Sequence, residues 1–304
     1  MNTQRQTAVA ISILAFASLG HVAQAASDPG AWQWRAQAGA LLQSDSDLDT
    51  GGDMAVDRFF VEASGASMLS GDTRLGFSLG YGVDDYDFSG TTGFGGLDPW
   101  GMARELRVGA TFQHTVNSSW TVYGIPSLRF NTESGASLDD GLTGGLLAGA
   151  SYRVNDQLSI GPGIGVFSEL EDDTSFIPIL LIDWQISENL SLETGRGFAA
   201  SRGPGLQLRW TYSPKLTMAL GGRYEKTRFR LDDKGIAPGG VGEDRAVPVF
   251  VSADYKLTAN SALSVFGGVE VNGSVRLEDS SGRQLSKSDL ADAPFFGAAL
   301  RTRF

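Results

Sequence analysis

The chain has 304 residues with no cysteine, 24 Lys and Arg and 35 Asp and Glu, which gives a formal net charge of −11. The lack of cysteine excludes disulfides and thiolate metal sites. The acidic balance argues against nucleic acid as a partner, because proteins bind nucleic acid by neutralising its phosphates. Glycine is abundant, with 40 residues, and aromatic residues make up 10%; both features suit a β-barrel.

The first 25 residues have the pattern of a secretory signal peptide. Arg5 supplies a positive charge, residues 8–19 are mainly apolar, and residues 23–25 (AQA) form a small-x-small cleavage site. The apolar stretch is too short to span a bilayer as a helix. We therefore predict a signal peptide over residues 1–25 and a single barrel domain over residues 26–304.

The rest of the chain consists of segments in which apolar and polar residues alternate. In the first segment, 32–42, Trp32 and Trp34 share a face with Leu42, while Arg35 lies on the other face. A spanning strand requires a closed barrel, so the sequence predicts an all-β, transmembrane, antiparallel up-and-down barrel of about fourteen strands. The other predicted strands are 56–69, 74–86, 103–116, 120–131, 142–154, 158–169, 175–186, 190–197, 204–213, 216–230, 244–257, 263–278 and 294–304.

Two stretches leave alternatives open. Residues 190–213 contain two short strands, which either form a hairpin in the wall or fold partly into the lumen, and the second case leaves twelve strands. In the predicted strand 216–230 the apolar parity shifts after Tyr224, towards Phe229 and Leu231. That shift indicates a bulge or an extension above the bilayer.

The connections alternate between short polar turns and longer loops. Turns such as residues 70–72 (SGD) and 117–119 (NSS) are typical of antiparallel hairpins, whereas the other connections are mostly longer and acidic or glycine-rich. This polarity is that of a bacterial outer-membrane barrel with periplasmic turns and termini. We therefore predict export through the periplasm after signal-peptide cleavage, and insertion in the outer membrane.

Aromatic residues gather at the predicted periplasmic strand ends on the lipid-facing parity. Such rings favour the membrane–water interface. Phe304 is also the predicted assembly signal, through which the C-terminal strand would contact the barrel-assembly machinery. The predicted interface girdle consists of Trp32, Trp120, Tyr152, Trp184, Trp210, Tyr212, Tyr255 and Phe304.

Charged residues occupy the opposite parity. An Arg or Lys on the lipid face near mid-bilayer costs ~2–4 kcal/mol, so these side chains are predicted to point into the lumen. They form either cross-strand ion pairs that stiffen the wall or a constriction that filters solutes by charge. The candidates are Arg35, Glu62, Arg74, Asp84, Glu105, Arg107, Arg129, Arg153, Glu193, Arg209, Arg223, Glu225, Asp254, Lys256, Glu270, Arg301 and Arg303.

Two loops are candidates for narrowing the lumen by folding inwards. One is residues 87–102, which contains Phe94 and Trp100, and the other is residues 279–293. The apolar, glycine-rich first loop also suits a tip that touches lipopolysaccharide or a flexible surface loop.

Catalytic, metal and cofactor sites are not predicted. His114 is the only histidine after the signal peptide, and it lacks the His-x-Ser spacing of outer-membrane lipid hydrolases. Acidic loops around residues 45–53 and 169–173 lack the spacing of a calcium-binding loop, so we interpret them as solvated loops. The chain is therefore predicted not to be an enzyme, with a lipid hydrolase as the least favoured alternative.

Several short runs in the C-terminal half carry a family resemblance. They are residues 192–197 (LETGRG), 203–206 (GPGL), 222–225 (GRYE), 228–230 (RFR), 242–245 (GEDR) and the terminal Phe304. In these runs the chain resembles a family of largely uncharacterised proteobacterial outer-membrane β-barrel proteins. The resemblance implies a porin-like barrel and supplies no substrate or catalytic residue.

These features together predict a passive pore for small hydrophilic solutes, embedded in outer-membrane lipid and lipopolysaccharide. The alternative is a non-conducting structural or surface barrel, whose acidic loops bind lipopolysaccharide or a partner.

Overall fold

The structure, a computed structural model, describes residues 30–194 and 205–304. The predicted signal peptide lies outside these ranges, as do residues 195–204, which include the end of the predicted strand 190–197 and the first residue of the predicted strand 204–213. The described chain forms a five-residue helix, a short 3-10 turn at Leu138–Gly141 and sixteen strand segments. In chain order these are β1 (Gln33–Asp47), β2 (Asp53–Met68), β3 (Thr73–Ser89), α1 (Gly93–Leu97), β4 (Met102–Thr115), β5 (Trp120–Glu133), β6 (Leu142–Arg153), β7 (Leu158–Glu169), β8 (Asp172–Ser187), β9 (Leu190–Thr194), β10 (Gly205–Thr211), β11 (Leu216–Arg223), β12 (Glu225–Arg230), β13 (Val241–Lys256), β14 (Ser261–Glu278), β15 (Gln284–Leu290) and β16 (Ala293–Arg303).

The strands form one closed antiparallel barrel. Each strand from β1 to β10 pairs with the next along the chain, and β16 pairs with β1, with Leu300 opposite Ala38, which closes the ring. The segments β11 and β12 are halves of one wall strand because both pair with β13, and β15 and β16 are halves of another because both pair with β14. The sixteen segments therefore build fourteen wall strands, which confirms the predicted number.

Residues 190–213 contribute two strands to the wall. Leu206 of β10 lies opposite Thr194 of β9 on one side and opposite Gly222 of β11 on the other. The alternative with twelve strands, in which this stretch folds into the lumen, is therefore excluded for the described parts of β9 and β10.

The outer surface of the barrel carries a band of exposed apolar side chains. On β3 they include Phe77, Leu79 and Tyr81, which are 44–50% exposed, and on β8 they include Phe176 at 66% and Leu180 at 55%. Side chains alternate between the two faces of a strand, so this band faces outwards all along the wall. A closed ring with paired backbone and an apolar exterior is a transmembrane β-barrel. Within residues 30–194 and 205–304, no helix is long and apolar enough to cross a membrane.

The two ends of the barrel differ in how they join the strands. At one end, short turns connect the strands, such as that between β2 and β3, where the Leu69 amide donates to the Thr73 carbonyl over 2.9 Å. We call this the short-turn end, and β16 also finishes here. At the other end, the long-loop end, lie α1, the 3-10 turn and the connections β12–β13 and β14–β15.

Aromatic packing fills the lumen beside β1, β13, β14 and β16. Leu41, Phe250, Phe266 and Phe295 are at most 5% exposed and form one cluster. A β-carbon at Gly297 would lie 2.5 Å from Cε2 of Phe266, so only glycine leaves room for this ring. The charged residues on the interior parity suggested a polar lumen. The structure shows that aromatic and aliphatic side chains also occupy it.

A second aromatic cluster closes part of the long-loop end. Phe94 of α1 and Trp100 in the loop before β4 pack against Tyr86 and Phe229, and all four are at most 5% exposed. The ring of Trp100 lies 5.4 Å from that of Phe229 and 5.5 Å from that of Phe94, centroid to centroid. Loop 87–102 therefore folds inwards, which was one of the arrangements predicted for it.

The segment β12 bends inwards across the lumen while it stays paired with β13. Its Arg230 lies opposite Thr132 of β5 in a parallel pair, although five wall strands, β6 to β10, separate the two segments around the ring. The side-chain amide of Asn131 donates to the Arg228 carbonyl over 3.2 Å. The apolar parity shift after Tyr224, for which the sequence indicated a bulge or an extension above the bilayer, coincides with an inward turn of the chain. The apolar side chain of Phe229 therefore faces the interior, where it packs in the second aromatic cluster.

Candidate functional site

The lumen contains a cavity of about 970 Å³. It is bounded at the short-turn end by Gly71 and Ser119 and at the long-loop end by Asn131 and Arg228. Most of the cavity lining comes from β3 to β9, with a few residues from the short-turn ends of β1 and β2, and the cluster of Leu41, Phe250, Phe266 and Phe295 fills the opposite side of the lumen. Its volume is at the upper end of the range of small-molecule sites, so it is large enough for a solute.

Five of the predicted lumen residues line this cavity. They are Arg74, Arg107, Arg129, Arg153 and Glu193, which come from β3, β4, β5, β6 and β9. These five positions belong to separate strands, and the barrel register brings them around one space. The cavity lining as a whole contains six cationic and three acidic side chains: Arg74, Arg107, Arg129, Arg153, Lys226 and Arg228, and Glu169, Asp183 and Glu193.

Two further candidates contact Arg107. The Arg107 Nε donates to Glu105 Oε1 over 2.7 Å, and its Nη1 lies 3.8 Å from Glu62 Oε2. Glu105 is buried, whereas about a quarter of the Glu62 side chain is exposed. This group combines both interpretations made from the sequence, because the ion pairs stiffen the wall while Arg107 faces the cavity.

Another group of candidates gathers around Asp254 of β13. Arg209 of β10 and Arg301 of β16 each place Nη2 3.5 Å from one of its carboxylate oxygens. Arg35 is buried opposite Arg303 in the β1–β16 pair. These charged side chains lie between the cluster of Phe250, Phe266 and Phe295 and the short-turn end.

Four further candidates, on β11, β12, β13 and β16, are Arg223, Glu225, Lys256 and Arg303. Arg223 is 4% exposed, with Cζ 5.6 Å from the centre of the Phe250 ring and Nε 3.9 Å from Glu225 Oε1. Lys256 and Arg303 are exposed at the short-turn end.

The structure also reveals a buried ion cluster whose centre the sequence analysis missed. Arg58 of β2 donates to Asp244 of β13 over 3.0 Å and to Glu270 of β14, and the Tyr86 hydroxyl donates to Asp244 over 3.1 Å. Of these four residues, only Glu270 was a predicted lumen residue. Asp84, another predicted lumen residue, is 2% exposed. Arg58 and Asp244 occupy the same interior parity as Glu62 and Asp254 in their strands, so alternation alone could have found them.

A second buried ion cluster lies where β12 enters the lumen. Arg228 donates through Nη1 to Glu243 over 2.7 Å and through Nη2 to Glu278 over 2.6 Å. Arg276 donates to Glu243 over 2.6 Å, and all but Arg276 are 7% exposed or less. None of these residues was a predicted lumen candidate, although Arg228, Arg276 and Glu278 lie in predicted strands.

One loop carboxylate at the long-loop end has a strongly shifted pKa. Hydrogen bonds from the Ser281 hydroxyl over 2.7 Å and the Ser281 amide over 3.0 Å, aided by Arg283, lower the pKa of Asp279 to about 2. A carboxylate that accepts several hydrogen bonds is stabilised in its charged form. This ordered turn belongs to loop 279–293, the second loop considered as a possible plug.

The eight residues of the predicted girdle are all between 39% and 74% exposed. Trp120 of β5 lies opposite Tyr152 of β6, with ring centroids 5.1 Å apart, next to the turns that join these strands. Trp34, which the sequence analysis left out of the girdle, is 52% exposed and stacks on Trp32 with a centroid distance of 5.8 Å.

His114 lies on β4 near the short-turn end. Its Nδ1 is 2.9 Å from the Thr73 hydroxyl, and its ring stacks on Phe112. These contacts anchor the ring beside the wall and do not form a serine–histidine pair. Among the described residues, no group of three or more His, Cys, Asp or Glu side chains is arranged to hold a metal ion.

No family model and no curated protein matches the chain. Solved structures of similar fold include an outer-membrane channel from Pseudomonas putida F1, with 12% identity, a TM-score of 0.49 and coverage of 92% of this chain and 97% of that chain. A FadL homologue from Pseudomonas aeruginosa has 9% identity, a TM-score of 0.49 and 90% coverage of both chains. The translocator domain of the autotransporter NalP from Neisseria meningitidis has 12% identity, a TM-score of 0.40 and coverage of 91% and 90%. At such low identities and scores we draw no functional conclusion from these likenesses.

Proposed function

We propose that this protein is a passive channel for small solutes in the bacterial outer membrane. The observation that carries the proposal is the cavity of about 970 Å³ inside the barrel, lined by charged and polar side chains from many strands. Fourteen strands enclose a lumen wider than the side-chain-filled interior of an eight-stranded barrel, and in this barrel part of that lumen stays open.

The lining supports passage of charged, water-soluble molecules. Six cationic and three acidic side chains face one space, and charged rings of this kind select ions in pores. We propose that the short-turn end faces the periplasm, as in outer-membrane barrels with short periplasmic turns. The exposed aromatic residues at this end support the same orientation.

A specific observation favours the non-conducting alternative. The segment β12, its ion pairs and the aromatic cluster of Phe94, Trp100 and Phe229 occupy much of the long-loop end. Such a barrier narrows the path to the outside. If it never moves, the protein is a surface or structural barrel whose loops bind lipopolysaccharide or another partner.

Conductance in planar bilayers distinguishes the two functions. We expect small single-channel steps from the refolded wild type, and larger steps after deletion of residues 232–239, which connect β12 to β13. A matched control replaces Asp279 and Arg283 by Ala in the neighbouring β14–β15 loop, which should leave the steps unchanged. Absence of channel steps in all three proteins, each verified as folded, would contradict the channel.

The hydrolase alternative has less support. Catalysis of acyl transfer needs a nucleophile activated by a base, and the contact of His114 is with Thr73 in the wall. We therefore propose a protein without catalytic activity, and we expect His114→Ala to conduct as the wild type does. Turnover of a phospholipid by the wild type, lost in this variant, would contradict the proposal.

A further inference from the structure

One wall of the cavity is apolar. Six side chains from the adjacent strands β5, β6, β7 and β8 line it. We call this surface the aliphatic floor, and it consists of Ile125, Leu147, Phe167, Ile177, Ile179 and Leu181. Ile125, Leu147, Gly165 and Ile177 lie opposite one another in a single row across the four strands. Four neighbouring strands span about 14 Å, so the floor is wide enough for a small molecule.

Glycines make the floor smooth. The Phe167 ring lies over Gly145 and Gly165, where a β-carbon would collide with it. Leu181 lies over Gly149 in the same way, since a β-carbon there would be 2.8 Å from Leu181 Cδ1. The larger side chains therefore lie along the wall and leave the space above them open.

The floor differs from the rest of the apolar interior in its exposure. Phe250, Phe266 and Phe295 pack against one another and are at most 5% exposed, whereas all six floor residues remain partly exposed towards the cavity. Apolar surface that faces neither lipid nor a packed core, and that is bordered by polar groups, is typical of a ligand-binding surface.

Two guanidinium groups border the floor on the side of the long-loop end. Arg129 has its Cζ 5.6 Å from the centre of the Phe167 ring, and it lies directly opposite Arg107 in the β4–β5 pair. Arg107 is paired with Glu105 and Glu62 along the wall, and both guanidinium groups also line the cavity, where a bound anion can reach them. Guanidinium groups bind carboxylates with good geometry, and Arg129 is already oriented by its contact with Phe167.

We propose that the cavity binds small amphipathic organic anions. The apolar part of the ligand lies on the aliphatic floor, and its carboxylate or sulfonate is placed at Arg129 and Arg107. This inference deepens the proposed function, on which it rests, by naming the class of solute. A neutral apolar molecule would make no charge-assisted contact with Arg129, and a small hydrophilic anion would leave the floor in contact with water.

The test measures octanoate binding to the protein in nanodiscs by isothermal titration. We expect octanoate to bind at least tenfold more tightly than acetate. The double variant Phe167→Ala and Ile177→Ala should weaken octanoate binding at least tenfold. Its matched control is Phe176→Ala with Leu180→Ala, on the outer face of β8, which should bind octanoate as the wild type does.

A second pair of variants tests the anionic contact. Arg129→Gln should weaken octanoate binding but leave the binding of 1-octanol unchanged, and Arg209→Gln, a lumen substitution beside Asp254, should change neither. The inference is overturned if wild type binds acetate as tightly as octanoate, or if no floor or Arg129 variant alters octanoate binding. Potassium chloride conductance of the same samples separates the two proposals: loss of conductance with octanoate binding retained contradicts only the channel function.

Discussion

Arg58 and Asp244 form an ion pair across the inside of the barrel, with 3.0 Å between Nη2 and Oδ2. They belong to β2 and β13, and three wall strands, β1, the β15–β16 strand and β14, lie between them around the ring. Both side chains are less than 10% exposed. The pair therefore ties distant parts of the wall together through the lumen, which no contact between neighbouring strands can do.

Removal of Arg58 should strongly destabilise the barrel. Arg58→Met leaves Asp244 and Glu270 as buried carboxylates without this partner, and breaking a buried ion pair from one side costs about 3–5 kcal/mol. The measurement is guanidinium unfolding in detergent, followed by the loss of the folded band on unheated gels. Arg283→Met is the control, since its pair with Asp279 is on an exposed loop and is worth ~0–1 kcal/mol. Equal stability of both variants would show that the buried pair contributes little.

The aromatic cluster at the long-loop end should control conductance. Phe229→Ala removes a ring that is 1% exposed and contacts Trp100 and Tyr86. Such a truncation costs about 3–5 kcal/mol of packing, which should release β12 from the lumen. We expect a severalfold increase in single-channel conductance, whereas Phe176→Ala on the outer face should leave it unchanged. A conductance that stays at the wild-type value would mean that β12 does not limit the path.

The cationic lining should give the channel a preference for anions. We expect the double variant Arg74→Gln and Arg153→Gln to shift the reversal potential in a salt gradient towards cation selectivity, because two of the six cationic lining groups are removed. The shift should be smaller at high salt, where charges are screened. Lys215→Gln, in the turn between β10 and β11, serves as the control. Equal reversal potentials of the wild type and the double variant would contradict a role for these charges.

Phe304 should contribute more to assembly in cells than to the stability of the folded barrel. Its amide donates to the Trp34 carbonyl over 2.9 Å, and its side chain is 74% exposed. We expect deletion of Phe304 to lower the folded fraction in cells severalfold, measured by heat-modifiable gel mobility, while refolding from urea in detergent is little affected. Phe296→Ala, at an exposed ring within β16, should assemble normally. Normal assembly without Phe304 would refute the assigned signal.

The turn at Asp279 should keep its hydrogen bonds at every pH except strongly acidic ones. Its pKa in the folded protein, about 2, is below the ordinary carboxyl value, so the contribution of its hydrogen bonds is fully present above pH ~4 and is lost as the pH falls through about 2. Carboxyl ¹³C chemical shifts of Asp279 in the detergent-bound protein provide the measurement. We expect Ser281→Ala, which removes the largest cause of the shift, to raise this pKa towards the ordinary value. An unchanged pKa would contradict the assignment of the cause.

The sequence determined the barrel and its parity, because every spanning strand must alternate between lipid and lumen and every backbone group must be paired. Strand number, turn positions and the interior placement of Arg74, Arg107 and Arg129 follow from that rule. The rule describes one strand at a time, however, and it contains no information on which interior side chains meet across the lumen. Only the tertiary structure brought Arg58 to Asp244, turned β12 inwards at Tyr224 and gathered the aliphatic floor beside Arg129. These contacts depend on the strand register and on the path of one inward segment, which local alternation leaves undetermined.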